Sequence, residues 1–501
     1  MTRRLPAVVR NQVRATEGTP GIPMRTIVIC ALCVVRAAAA LAQPAPMLTL
    51  QQAVLEALER NERLLDQHDV TEQAALGVRL ARNTFQPKVT PNVLGSFGQT
   101  NINSQNYRLD VTQKFVSGTE IRFAAGTATA QIPSAVGDPQ ADIRFYNADT
   151  TFSLTQPLLR GFGPGVARRA LSSAELRRAD AGRQQALTEQ QVALDVAASY
   201  YRIVAQLTLV EAARQSVDRV RRLRQASEAR LDAGLVSQLD VLRAQQLVTQ
   251  AEIQLFDAEA AADDARDRLR FLVGRDTDVP FGVAADIARP TAEPIDVDEA
   301  VARALANRLD LKSLIATSAD ADRQLSFARN QLLPQVDVNV AYTRRQTADG
   351  FIHSFGLDRF QLATFFTVAM PVDRTPQLVE YQNALIERDR RTREIATFRR
   401  RIADDVRRAV RDRDRLLRGL AAAELSMDIA RKEVDVAQLR YERGLSNNLD
   451  VVTAEGNLLA TESRRIQVLA DSAFAALRLS AIVGTLNPRS LESAMRSADV
   501  E

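Results

Sequence analysis

The octapeptide Gly234-Leu235-Val236-Ser237-Gln238-Leu239-Asp240-Val241 returns 210 residues later as Gly444-Leu445-Ser446-Asn447-Asn448-Leu449-Asp450-Val451. Each copy interrupts a long proline-free stretch, Gly165 to Val279 or Gln377 to Asn487, rich in Ala, Leu, Arg, Glu and Gln. Those are good helix formers. Glycine permits the positive φ that ends a helix, and Ser237 to Asp240 and Asn447 to Asp450 have the spacing of a capping box that starts the next. Each copy therefore predicts a hairpin of two helices joined at a tight turn.

The duplication extends beyond the hairpins. Ala53-Val54-Leu55-Glu56-Ala57-Leu58 matches Ala300-Val301-Ala302-Arg303-Ala304-Leu305, and Ala81-Arg82-Asn83 through Pro87 matches Ala328-Arg329-Asn330 through Pro334, both at an offset of 247. The offset falls to 210 at the hairpins, so 37 residues are missing from the second copy between Pro334 and Leu445. Repeats of this kind decide the architecture before any local motif does. Each copy is expected to hold a short helix (49–85 in the first), a long one (164–231) and a second short one (237–273). At 1.5 Å per residue the long helix reaches about 100 Å, and the two short ones laid end to end reach about the same. Ile203, Leu207, Val210, Val217 and Val220 keep heptad-like spacing, as do Leu425, Ile429, Val436 and Leu439. Both are read as seams of helices packed along their length.

The segments between the helices have period two. Tyr107, Leu109, Val111 and Phe115 alternate with Arg108, Asp110, Thr112 and Lys114. Val336, Val338 and Val340 alternate with Asp337 and Asn339, and Phe360, Leu362, Phe366 and Val368 with Gln361, Ala363 and Thr367. These are predicted strands, four to six in all. They concentrate aromatics, with 15 of the chain's 25 lying between Phe85 and Phe162 or between Tyr342 and Phe366. Such alternation suits either a half-buried sheet or a membrane barrel. One protomer has too few strands to close a barrel, and open edges cannot face lipid, so membrane strands would have to be pooled among protomers.

The first 42 residues explain the charge. Met24-Arg25, an apolar run from Thr26 to Val35 and Ala40-Leu41-Ala42 before Gln43 have the form of a secretory leader, with Met24 a plausible start. Residues 1–42 hold six Arg and one Glu, a net of +5, so the rest of the 501-residue chain carries 4 − 5 = −1. Cys30 and Cys33, the two cysteines, also fall in the leader. After Ala42 no run approaches 18 apolar residues.

Enzyme chemistry finds no support. Val166 occupies the third glycine site after Gly161-Phe162-Gly163-Pro164-Gly165, so a strand-to-helix turn is preferred to a nucleotide loop. His68 and His353 lie far apart without metal-ligand spacing, so neither a metal nor another cofactor is expected. The arginines at Arg390-Arg391 and Arg399 to Arg401 are interspersed with acids, which reads as a solvated helix face and not a nucleic-acid surface.

Taken together, the leader, the duplicated short-long-short helical unit, Gln156-Pro157-Leu158-Leu159 closing a strand, and Gly-Leu followed by Asp-Val in both hairpins resemble the TolC family of outer-membrane efflux proteins. The resemblance runs from Leu48 to about Asn487. It implies a mainly α fold, with long antiparallel coiled-coil helices from two repeats forming a periplasmic α-barrel, and a small β-barrel shared by a homotrimer, four strands from each protomer. The corresponding organisation is a leader (1–42), helical segments (43–87 and 291–334), barrel strands (88–160 and 335–372), long hairpins (161–290 and 373–487) and a tail (488–501). By the same resemblance the protein is a passive exit duct in outer-membrane lipid, served by an inner-membrane transporter and a periplasmic adaptor. Gly234, Leu235, Gly444 and Leu445 correspond to the tips where the adaptor docks. Asp240 and Asp450 correspond to positions at the periplasmic aperture, although helix capping explains both equally well. The family's second acid after Asp450 is Thr453 here, and Tyr107 to Ala130 is strand-like sequence beyond the family pattern. A secreted coiled-coil scaffold or adhesin is the alternative.

Overall fold

The computed structural model describes residues 47–96, 103–132, 143–276, 281–284, 287, 289–291, 293–348 and 360–491. The leader and His353 lie outside the described residues. The chain divides into two compact units, the larger comprising Thr49–Val279 and Val283–Glu501. The described residues of the smaller are Met47, Leu48, Phe281 and Gly282, where β1 (Met47–Leu48) lies in a two-stranded sheet with β6 (Gly282–Val283).

In the larger unit the first short helix is two helices, α1 (Leu50–Arg60) and α2 (Glu62–Asn83), which corrects the single helix expected over 49–85. Thr49 and Gln52 form the capping box that starts α1. Asn61 makes the break: its backbone is extended, its side-chain oxygen accepts the Arg63 N–H, and its amide donates to the Leu272 carbonyl at 2.8 Å. The second copy breaks at the equivalent position, Arg308, between α6 (Val297–Asn307) and α7 (Leu309–Gln331).

The long helices are α4 (Arg169–Asp232), preceded by one turn, α3 (Pro164–Ala167), and α8 (Thr375–Glu442). Helix α4, expected to begin at 164, starts after Arg168 instead. The hairpins are completed by α5 (Gln238–Val273) and α9 (Asn448–Val483), both ended by left-handed glycines, Gly274 and Gly484. A β-carbon on Gly274 would lie 3.1 Å from the Arg60 carbonyl oxygen, and one on Gly484 would lie 3.2 Å from the Arg308 nitrogen. The end of each hairpin thus abuts the break between two short helices, and this close approach requires glycine. Helix α9 is long and apolar enough, by length and composition, to cross a membrane. Here its apolar stripe is spent on protein: Val451, Ala454 and Leu458 share a core with Leu223 of α4 and Val434, Ala437 and Tyr441 of α8.

One expected seam faces the other way. Ile203, Val210, Val217 and Val220 are buried, but Leu425, Ile429, Val436 and Leu439 are exposed along α8, whose buried stripe is Met427, Ala430, Val434, Ala437 and Tyr441.

Six strands form one antiparallel sheet in the order β2 (Lys88–Ser96), β3 (Asn103–Lys114), β4 (Glu120–Ile132), β5 (Ile143–Pro157), β7 (Gln335–Ala348), β8 (Gln361–Ala369). The resemblance implied four strands. The difference is the β3–β4 hairpin, which carries the strand-like segment 107–130, with Phe115 in its turn and not in a strand.

Candidate functional site

Two regions at opposite ends of α4 carry the features that matter for function, the hairpin tips and the sheet. At 64 residues α4 separates them by about 96 Å.

The tips are built twice by the same rule. Gly234 and Gly444 have φ of 73° and 72°. Leu235 N–H bonds to the Arg230 carbonyl and Leu445 N–H to the Arg440 carbonyl, each reaching back five residues as in a Schellman motif. Both leucines project into solvent, 74% and 75% exposed, because the turn leaves nothing for them to pack on. A sheltered patch behind each turn would have buried them.

Asp240 and Asp450 occupy the first turns of α5 and α9. The Asp240 carboxylate accepts from Ser237 N–H at 3.1 Å and from its hydroxyl at 2.7 Å, while Arg243 stands 3.8 Å away. Asp450 accepts from the Ser446 hydroxyl at 2.6 Å, and its own N–H donates to Asn447 Oδ1. Asp240 therefore closes a capping box with Ser237, whereas at the second tip the cap is Asn447 and the Asp450 carboxylate bonds only the Ser446 hydroxyl, so the capping box expected over Asn447 to Asp450 is not closed there. Both acids lie where the helix dipole favours negative charge. Thr453 turns its hydroxyl onto the Leu449 carbonyl.

The two tips are also tied together through residues that the motif reading overlooked. The Asn448 amide donates to the Asp240 carbonyl at 2.8 Å. Arg230, near the end of α4, donates to the carbonyls of Tyr441 and Glu442 and stacks over the Tyr441 ring, placing a cation where the α8 dipole is negative. Ser227 and the Tyr441 hydroxyl are 3.0 Å apart. Higher up, Glu455, 2% exposed, accepts from Arg219 Nε and from the Gln438 amide. The signal was present: Val451, Ala454, Glu455 and Leu458 mark one helical stripe, so Glu455 is an acid on an apolar face.

The sheet is amphipathic across its full width. Strand register aligns Val89, Val111, Phe123, Phe152, Tyr342 and Leu362, one residue from each strand. Residues directly opposite point the same way, so this row lies on one face. The other face carries Arg108, Asp110, Lys114, Glu120, Arg122 and Asp149, linked by ion pairs from Arg108 to Asp110 and Asp149, and from Glu120 to Lys114 and Arg122. Toward the end of the sheet away from the helices, Arg344 lies on the apolar face and bonds Gln346. At the helical end, Gly161 N–H bonds Asn330 Oδ1, and Gly161 and Gly163 take positive φ, so the glycine-rich segment is a strand-to-helix turn. His68 is exposed on α2, and no group of His, Cys, Asp and Glu among the described residues could hold a metal.

A sheet with one apolar and one ion-paired face, set at the end of paired helical hairpins of this length, defines a membrane duct with a long aqueous extension. The chain matches the family described as outer membrane efflux protein over residues 53–275 and 300–485, and it belongs to that family. It is 25% identical over 351 residues to Protein CyaE of Bordetella pertussis, covering 66% of this chain and 70% of that protein. Among solved structures it is similar to the outer-membrane channel OprN, with TM-score 0.67 and 17% identity over 87% of this chain and 90% of that one. The outer membrane protein VceC of Vibrio cholerae gives TM-score 0.65 and 17% identity over 87% and 96%. The protein is thus an outer-membrane exit duct whose helices extend into the periplasm, in a family of channels and not of enzymes.

Proposed function

We propose that three copies of this chain form one continuous passive duct. The observation that carries the reading is the pair of sheet edges: among the described residues, β2 and β8 each end the sheet with no partner on their outer side. Unpaired N–H and C=O groups cannot face hydrocarbon, so in a membrane each β8 must pair with the β2 of a neighbour. Their directions suit this, since β2 and β8 are antiparallel in an alternating six-strand sheet. The exposed stripe of Leu425, Ile429, Val436 and Leu439 gives the helices an apolar face for the same neighbours.

The exposed Leu235 and Leu445 are the anchors for a periplasmic adaptor, which couples the duct to an inner-membrane transporter that supplies the energy. Asp240 and Asp450 line the periplasmic aperture, where three protomers bring six carboxylates and favour cations. Their hydrogen bonds to Ser237 and Ser446 hold the two carboxylates at the helix starts.

The test is purification from outer membranes in detergent, followed by cross-linking and planar-bilayer recording. A trimer that conducts ions is expected, and a detergent-free soluble rod would overturn the reading. Leu235→Ser with Leu445→Ser is expected to abolish recovery of the adaptor while leaving the trimer intact.

A further inference from the structure

We propose that the membrane barrel has eighteen strands, six from each protomer, and that the β3–β4 hairpin widens the exit pore beyond that of a wall with four strands per protomer. The inference rests on the trimeric reading above and adds the composition of its wall.

Three observations place the hairpin in the wall and not in an external loop. It is paired along both sides: β2 with β3 from Lys88↔Thr112 to Ser96↔Ser104, and β4 with β5 from Glu120↔Thr155 to Ile132↔Ile143. It spans the full height, because its turn reaches the helical end of the sheet. There the Gly163 N–H bonds the Ser117 carbonyl at 3.1 Å and the Thr119 hydroxyl donates to Gln156 Oε1 at 2.5 Å. Gly118 sits so close that a β-carbon on it would fall 2.7 Å from the Gly161 carbonyl oxygen. Finally, the hairpin has the alternation of the strands beside it. Leu109, Val111, Ile121 and Phe123 continue the apolar face, and Arg108, Asp110, Glu120 and Arg122 continue the ion-paired one.

An external loop has no reason to carry a lipid-compatible face in register with its neighbours. Strands that do so belong to the barrel. Six is also an even number, so rotation about a threefold axis closes the sheet with every neighbour antiparallel. Barrel diameter grows roughly linearly with strand number, so eighteen strands give a bore about half as wide again as twelve, in the range where porins hold an aqueous channel. With both signs of charge paired on its inner face, such a bore takes hydrated polar cargo of large cross-section and discriminates little by charge sign.

The test places cysteine pairs in a Cys30→Ala, Cys33→Ala background of the full chain. Val89→Cys with Val111→Cys, and Phe123→Cys with Phe152→Cys, are expected to form disulfides in membranes. Val89→Cys with Phe152→Cys is expected to form none, because three strand spacings put the pair about 14 Å apart, beyond a disulfide's reach of about 7 Å. A disulfide in that third pair, with none in the first two, would overturn the proposal. Deletion of residues 103–132 joins β2 directly to β5 and is expected to cut the size limit for polyethylene glycol entering the barrel from its extracellular side by about one third, as eighteen strands become twelve. An unchanged limit in a conducting deletion trimer also overturns it. Should the deletion variant not assemble, the cysteine pairs decide alone. A copy number other than three, with both wall pairs still formed, would instead be a failure of the trimeric reading.

Discussion

Arg219 of α4 donates its Nε–H to the Glu455 carboxylate of α9 at 2.8 Å, joining the two hairpins through an acid that is 2% exposed. Removing one partner of a buried pair leaves an uncompensated charge and costs about 3–5 kcal/mol, whereas an apolar replacement of both can be neutral. Glu455→Ala is expected to lower the thermal midpoint sharply, and Arg219→Met with Glu455→Leu to recover most of the loss. If the double variant is as unstable as the single one, the pair is not the cause.

The aperture proposal separates charge from capping. Asp240→Asn with Asp450→Asn keeps a side-chain acceptor in each first turn and removes six negative charges from a trimer. Cation preference in bilayer recordings is expected to fall while the melting temperature moves little. Unchanged selectivity would leave Asp240 with its capping role alone and Asp450 with its bond to Ser446.

The four left-handed glycines of the hairpins are not equivalent. Gly234 and Gly444 have open space where a β-carbon would go, so Gly234→Ala meets only the backbone cost of about 1–2 kcal/mol. Gly274→Ala adds a collision with the Arg60 backbone and is expected to destabilise clearly more, as is Gly484→Ala against Asn307 and Arg308. Denaturant midpoints of the four variants test the ranking, and equal losses would contradict it.

Alkaline stability has a local origin in α4. Burial, reinforced by neighbouring Tyr200, pushes the Tyr201 hydroxyl from 10.0 up to about 12. A raised folded-state pKa means the contribution is fully present below pH 10 and is lost as pH rises through 12. Tyr201→Phe is expected to flatten the fall in melting temperature across that window. A fall as steep as in the parent chain would assign it to other groups.

Much of this architecture was legible because its causes are local. Pro-free runs of helix formers, glycine followed by a capping residue, and period-two alternation are properties of short windows, and the duplication made each signal appear twice. The eight-residue tip motif needed no tertiary information, since Gly234 and Gly444 must turn wherever the hairpins lie. The break at Asn61 was not legible in the same way. Asn61 does cap the second helix locally, but the break also lies where the hairpin end packs, with Leu272, 211 residues away, accepting from its side chain, and the equivalent break at Arg308 has no side-chain cap at all. The stripe of Leu425, Ile429, Val436 and Leu439 looked like any buried seam, since periodicity shows that a face is apolar without saying what covers it.

The sequence by itself determined the repeat, the helix and strand types and the capped tips, because these follow from residue spacing and backbone preference; the outer-membrane reading came from the family resemblance that those features carry. Only the tertiary structure decided that α8 buries its alanine-rich stripe and exposes its leucine-rich one, that Arg219 and Glu455 meet, and that the β3–β4 hairpin stands in the sheet between β2 and β5. Strand alternation identifies a strand but not its neighbour. The neighbour is set by register and by the contact of Gly118 with Gly161, which brings together residues from separate turns that no local window contains.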